Sequence, residues 1–154
     1  MNRINHTLTA LTITAGITAA AIGQAKPDLV ISRASVISDP SGLYIEKVSA
    51  SVDNACVDTR SGQSYLLVTF KTGPEPGAKS IYFIGNTVRS LAGGESDTQT
   101  FDVAAKKIGV GRYILIEADS YRKVAERNED NNWRTLNPDG AGTALNRPPC
   151  RTIL

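Results

Sequence analysis

The run SYLLVTFKT, residues 64–72, alternates with a period of two and ends at Gly73-Pro74-Glu75-Pro76-Gly77. In an extended chain that period puts Leu66, Val68 and Phe70 on one face and Tyr65, Leu67 and Thr69 on the other. Proline has no amide hydrogen to give to a ladder, so the strand stops there. The same construction recurs along the chain. DLVISRASV (28–36) sets Leu29 and Ile31 on one face and Val30 on the other. LYIEKVSASV (43–52), KSIYFIGNTV (79–88), DTQTFDVA (97–104), GRYILIEAD (111–119) and NWRTLN (132–137) also read as strands, rich in β-branched and aromatic residues. SDPSG (38–42) and LAGGES (91–96) supply turn chemistry between them. GRYILIEAD is strongly apolar and is expected to be central. No window carries a sustained helical period; SYRKVAERNED (120–130) has room for one helical turn. Seven strands at roughly 8–12-residue spacing predict an all-β antiparallel sandwich, with a small barrel as the alternative.

Residues 1–25 have another character. One basic residue, Arg3, precedes an uncharged stretch of Leu, Ile, Ala and Thr that ends in Gly23-Gln24-Ala25. A short positive end, an apolar middle and a small-x-small ending make a secretory signal peptide, and the many threonines argue against a membrane anchor. The expected organisation is a signal peptide at 1–25, one domain at 26–137, and a Gly- and Pro-rich tail at 138–154. Cleavage would remove His6, the only histidine. Ser-His-Asp and Cys-His catalysis need an imidazole base, and zinc hydrolases nearly always use histidine ligands, so those chemistries are excluded from the mature chain. Carboxylate-pair catalysis needs a cleft that a sandwich this small does not promise. No enzyme activity is expected.

Two cysteines remain, Cys56 and Cys150. An even pair in an exported protein predicts a disulfide, which would fasten the tail to the first half of the domain. With a formal net charge of +2 and no long basic block, the chain has no footprint for nucleic acid. Once the signal is cut, no membrane insertion is expected. The location is periplasmic or secreted.

The stretch EADSYRKVAERNEDNNW (117–133) crowds carboxylates and side-chain amides together. Asp119, Glu126, Asn128, Glu129, Asp130 and Asn131 offer the hard oxygens that calcium prefers. Asn128-x-Asp130-x-Asn132 fits the first half of an EF-hand loop, but Trp133 stands where that loop needs glycine. The competing expectation is a structural connection. Amide and carboxylate groups would accept hydrogen bonds from the turning backbone. Glu126 and Glu129 would pair with Arg122, Lys123 or Arg127 at the surface, and Val124 and Trp133 would pin the loop to the core. No cofactor is expected beyond this candidate calcium, with Asp119, Glu126, Asn128, Glu129 and Asn131 as ligands.

Three stretches together resemble one family. KPDLVIS (26–32), LAGGESDTQTF (91–101) and GRYILIEADSYRKVAERNEDNNW (111–133) are similar to the opening strand, the Gly-Glu-Ser hairpin and the closing motif of CARDB, the cell-adhesion-related domain found in bacteria. The resemblance spans about 26 to 137. It departs at Arg122 and Lys123, where the family often has Asn, and at SVDNACVD, where a cysteine enters. It implies an immunoglobulin-like sandwich and a binding, adhesion or spacing role outside the cytoplasm, with no reaction. The expected function is an exported, non-catalytic binding or adhesion module for a protein or a cell-surface glycan. The alternative is a calcium-stabilised accessory or inhibitor-like protein acting on an exported enzyme. Tyr44, Tyr65, Tyr82, Tyr121 and Trp133 are the candidate aromatic anchors.

Overall fold

A computed structural model describes residues 25–75, 77–138 and 150. The expected signal segment and most of the tail lie outside the described residues. Among the described residues seven strands form: β1 (Leu29–Ser38), β2 (Ile45–Asn54), β3 (Ser64–Lys71), β4 (Ser80–Val88), β5 (Ser96–Asp102), β6 (Tyr113–Glu117) and β7 (Trp133–Leu136). They make two sheets, ordered β1-β2-β5 and β4-β3-β6-β7, and every pairing is antiparallel. The sheets stack as a sandwich, so the barrel alternative falls. β6 lies inside its sheet, between β3 and β7, as its apolar sequence suggests.

Parity sets the core. Leu66, Val68 and Phe70 of β3 point inward and are fully buried. Register places Phe70 opposite Ile114 and Val68 opposite Ile116 on β6, and Ile114 opposite Leu136 on β7. From the other sheet Val48, Ala50 and Val52 of β2, Phe101 of β5, and Leu29 and Ile31 of β1 complete one continuous apolar cluster. Each large side chain so buried contributes about 1.5–3 kcal/mol.

Two features depart from expectation. Residues 120–130 form turns and bends with no helical turn, and the short helix among the described residues is a 3₁₀ turn at Ala104–Lys106. Val30, expected on the face opposite Leu29, is as buried as its neighbours; the loop between β6 and β7 bonds to the chain beside it, at Pro27, Asp28 and Leu29.

Candidate functional site

The loop between β6 and β7 is a knot of hydrogen bonds. Asp119, in the left-handed region at φ 47, is buried. Its Oδ1 accepts from the Lys123 amide at 3.0 Å and its Oδ2 from the Val124 amide at 2.8 Å. Its carbonyl accepts from the Arg122 amide at 2.7 Å. One carboxylate therefore closes the turn from within, as an Asx-type turn does. The amide of Asp130 donates to Asn128 Oδ1 at 3.1 Å, and the amide of Glu126 to Glu129 Oε1 at 3.0 Å.

The rest of the loop reaches the other end of the chain. Glu126 Oε2 accepts from the Leu29 amide at 2.6 Å, 97 residues away in sequence, and Oε1 from Asn132 Nδ2 at 2.9 Å. Asn131 Nδ2 donates to Asp28 Oδ1 at 3.0 Å, and the Arg127 amide to the Pro27 carbonyl at 2.8 Å. The expectation that Glu126 pairs with surface cations is thus corrected: it is 4% exposed and binds the start of β1. Burial pushes its carboxyl up to about 8; the Leu29 amide opposes the rise, and the carboxylates of Glu129, Asp119 and Asp28 add to it.

Of the two expected loop anchors, Val124 is buried and Trp133 is not; it is 52% exposed. Register explains this. Ile116 faces Arg134 and Ile114 faces Leu136 across β6 and β7, so Arg134 and Leu136 take the inward phase and Trp133 and Thr135 the outward one.

The candidate calcium ligands are thereby placed. Asp119, Glu126, Asn128 and Glu129 each direct side-chain oxygens at amide donors. Asn131 binds Asp28 through its nitrogen, and its Oδ1 is buried without a partner. The trio of potential ligand atoms that converges within 4.8 Å among the described residues is a different one, Asp28 with Cys56 and Cys150. Its two sulfurs are bonded to each other. That disulfide joins Cα atoms 5.2 Å apart across 94 residues.

A second region emerges on the outer face of the four-stranded sheet. Outward positions on β4 carry Ile81 and Phe83, on β3 Tyr65, Leu67, Thr69 and Lys71, on β6 Tyr113, Leu115 and Glu117, and on β7 Trp133 and Thr135. Phe83 is 67% exposed. Tyr121, at the head of the closing loop, stacks on Tyr65 with ring centroids 4.9 Å apart. The Tyr65 ring lies over Gly85, where an added Cβ would come within 2.4 Å of it. Of the five candidate aromatics, Tyr65, Tyr121 and Trp133 share this face. Tyr82 turns inward against Phe70, at 6.2 Å between centroids, and Tyr44 lies elsewhere under Lys107. Sequence reading missed Phe83, Tyr113 and Glu117. Their signal was strand parity: each stands one position away from a core residue.

Between β6, β7 and the Gly73-Pro74 turn this face is indented by a groove of about 350 Å³, lined by Lys71, Pro74, Tyr113, Leu115, Glu117, Trp133 and Thr135. Burial pushes the Glu117 carboxyl up, and Lys71 pulls it back. No helix among the described residues is long and apolar enough to cross a membrane.

Comparison with known proteins settles the family. The CARDB family model matches residues 26–136. The chain belongs to the CARDB family. Among solved structures it is similar to the 272–376 domain of a Methanosarcina acetivorans protein provisionally assigned to the cell surface. The identity is 17% and the TM-score 0.55, covering 82% of this chain and 97% of that one. β-Glucosidase 3B from Thermotoga neapolitana (16% identity, TM-score 0.40) shares 76% of this chain but only 16% of its own. The GH3 β-glucosidase of Bifidobacterium adolescentis (20% identity, TM-score 0.37) shares 82% of this chain and 19% of its own. No curated protein matches the sequence. The CARDB membership and the first neighbour agree on an immunoglobulin-like sandwich.

Proposed function

We propose that this CARDB domain is an exported, non-catalytic binding module at or outside the cell surface, and that the outer face of its four-stranded sheet makes the contact. The observation that carries the reading is that three exposed aromatics lie on one face, Phe83 on β4, Trp133 on β7 and Tyr121 of the loop between β6 and β7, over a sheet whose inner face already fills the core. An isolated exposed apolar residue needs no explanation, but a cluster on one face marks an interaction surface. Aromatic rings suit it because they bring large contact area at low entropic cost. Export fits the Cys56–Cys150 disulfide, which persists in an oxidising compartment. The neighbour provisionally assigned to the cell surface supports the same setting.

The test is retention of labelled domain on envelope fractions of the producing cells. Phe83→Glu and Tyr121→Glu should abolish it by placing charge on the contact face. Thr100→Ala, on the outer face of the other sheet, should leave it intact. Retention that ignores both glutamate variants would refute the reading.

A further inference from the structure

The groove at the β6–β7 end of the aromatic face has a chemistry of its own. Trp133 stands directly opposite Glu117, and Thr135 opposite Leu115. Lys71 stands opposite Tyr113. Directly opposed side chains have Cβ atoms about 4.5–5.5 Å apart. An aromatic ring, a carboxylate and a hydroxyl therefore meet within the span of a small ring-shaped ligand. Pro74 closes the end of the groove.

Three properties define the occupant. The first is aromatic surface: Trp133 and Tyr113, four residues apart along the register of β6, both line the groove, and an aromatic ring can take the C–H face of a pyranose. The second is the polar group opposite Trp133. Among the described residues no hydrogen bond acts on the half-buried Glu117 carboxylate; burial raises its pKa and the charge of Lys71 lowers it. A partly desolvated acceptor with no donor favours a ligand rich in hydroxyl groups. The third is charge. Lys71 and Glu117 contribute one of each sign, so an ionic ligand would meet a like charge whichever sign it bore, whereas a neutral one meets none. The volume, about 350 Å³, lies at the lower end of small-ligand sites, about 300–1,000 Å³. Docked proteins instead need about 800 Å² of surface per partner.

We propose that this groove is a binding subsite for a neutral saccharide, with a sugar ring against Trp133, its hydroxyls donating to Glu117, and Tyr113 farther along the groove. The subsite deepens the proposed function by naming the ligand class for part of the same face. Lys71, whose Nζ donates to the Glu75 carbonyl at 3.1 Å, acts as the fixed countercharge. Tyr65 and Tyr121, ring against ring, stand farther along the same face.

Trp133 is the sole tryptophan, so its emission reports the groove directly. The intact disulfide-bonded domain is titrated with cellohexaose, chitohexaose, xylohexaose and maltohexaose, followed by fluorescence and calorimetry. At least one should give a saturable change with Kd on the order of 0.1–1 mM. Trp133→Ala, read by calorimetry, should weaken binding about tenfold or more. Glu117→Gln, which keeps shape and one acceptor, should weaken it several-fold, and Thr100→Ala should not change it. Trp133 is exposed, so its removal leaves the core intact; circular dichroism of each variant checks the fold. The proposal is overturned if no saccharide gives saturation up to about 10 mM, or if binding survives both groove variants unchanged. In the first case, envelope retention that is still lost in Phe83→Glu would leave the broader reading standing with a different ligand. Retention insensitive to Phe83→Glu would remove both.

Discussion

Glu126 is an acid held where acids are normally excluded. In the unfolded chain it ionises near 4.5, and in the folded protein near 8. Between those values the folded protein keeps a proton that the unfolded chain has lost. The stability this supplies is fully present below about pH 4.5 and is lost as pH rises through about 8. The proton has somewhere to go: Asn132 Oδ1 is buried without a partner, and turning that amide over lets it accept from Glu126 Oε1. Urea unfolding at about pH 5 and about pH 8 should show a loss on the order of 1–3 kcal/mol at the higher pH, much reduced in Glu126→Gln. An unchanged slope in that variant would show that Glu126 does not carry the effect. Asp119, also buried, closes its own turn by accepting from the Lys123 and Val124 amides. Asp119→Ala should cost about 2–4 kcal/mol by stranding those donors and placing Cβ-only alanine at positive φ, and Asp119→Asn about 1 kcal/mol, since asparagine tolerates that conformation. Equal losses in denaturant melts would refute the assignment.

The strands were legible because their cause is local, and the loop was not because its partners are remote. Alternation in 64–72 alone separates Leu66, Val68 and Phe70 from Tyr65, Leu67 and Thr69, and the sheet keeps that division. β7 is four residues long, too short for its own pattern to fix its phase. Hydrophobicity pointed Trp133 inward, but pairing of Leu136 with Ile114 decided otherwise. Glu126 reads as a surface charge within SYRKVAERNED; only its contact with Leu29 makes it a buried one. The position of the loop at the chain's two ends also bears on calcium. Side-chain oxygens of Asp119, Glu126, Asn128 and Glu129 already accept from amide donors, and those bonds would have to be given up to an ion. Chelator should therefore leave the melting temperature where it is. A rise with millimolar calcium, abolished by Glu126→Gln, would instead place an ion in the loop.

At the scale of the whole molecule, the two ends of the domain are tied together twice. The closing loop bonds to Pro27, Asp28 and Leu29 through Arg127, Asn131 and Glu126. The disulfide anchors Cys150 beside the same place, for Asp28 lies within 4.8 Å of both sulfurs. The pairing was legible by counting, since two cysteines allow one intramolecular bridge. Its neighbourhood was not, because Asp28, Asn54 and Cys56 meet only once β1 and β2 pair. There the Asp28 amide donates to Asn54 Oδ1 at 3.3 Å, and the Ala55 amide to the Asp28 carbonyl at 2.8 Å. Closing a loop across 94 residues removes unfolded-state entropy equivalent to about 4–5 kcal/mol, and removing a native bridge commonly costs about 2–5 kcal/mol. Paired Cys56→Ser and Cys150→Ser replacement should lower stability within that range while leaving the seven strands formed, because β1 to β7 are held by ladders and a core that do not involve the sulfurs. Circular dichroism should keep its β signature as the denaturation midpoint falls. The groove face lies on the opposite sheet from β1 and β2, so Trp133 emission should stay native in the same variant. Collapse of both signals together would show the bridge to be a condition of folding, not a staple on a finished sandwich.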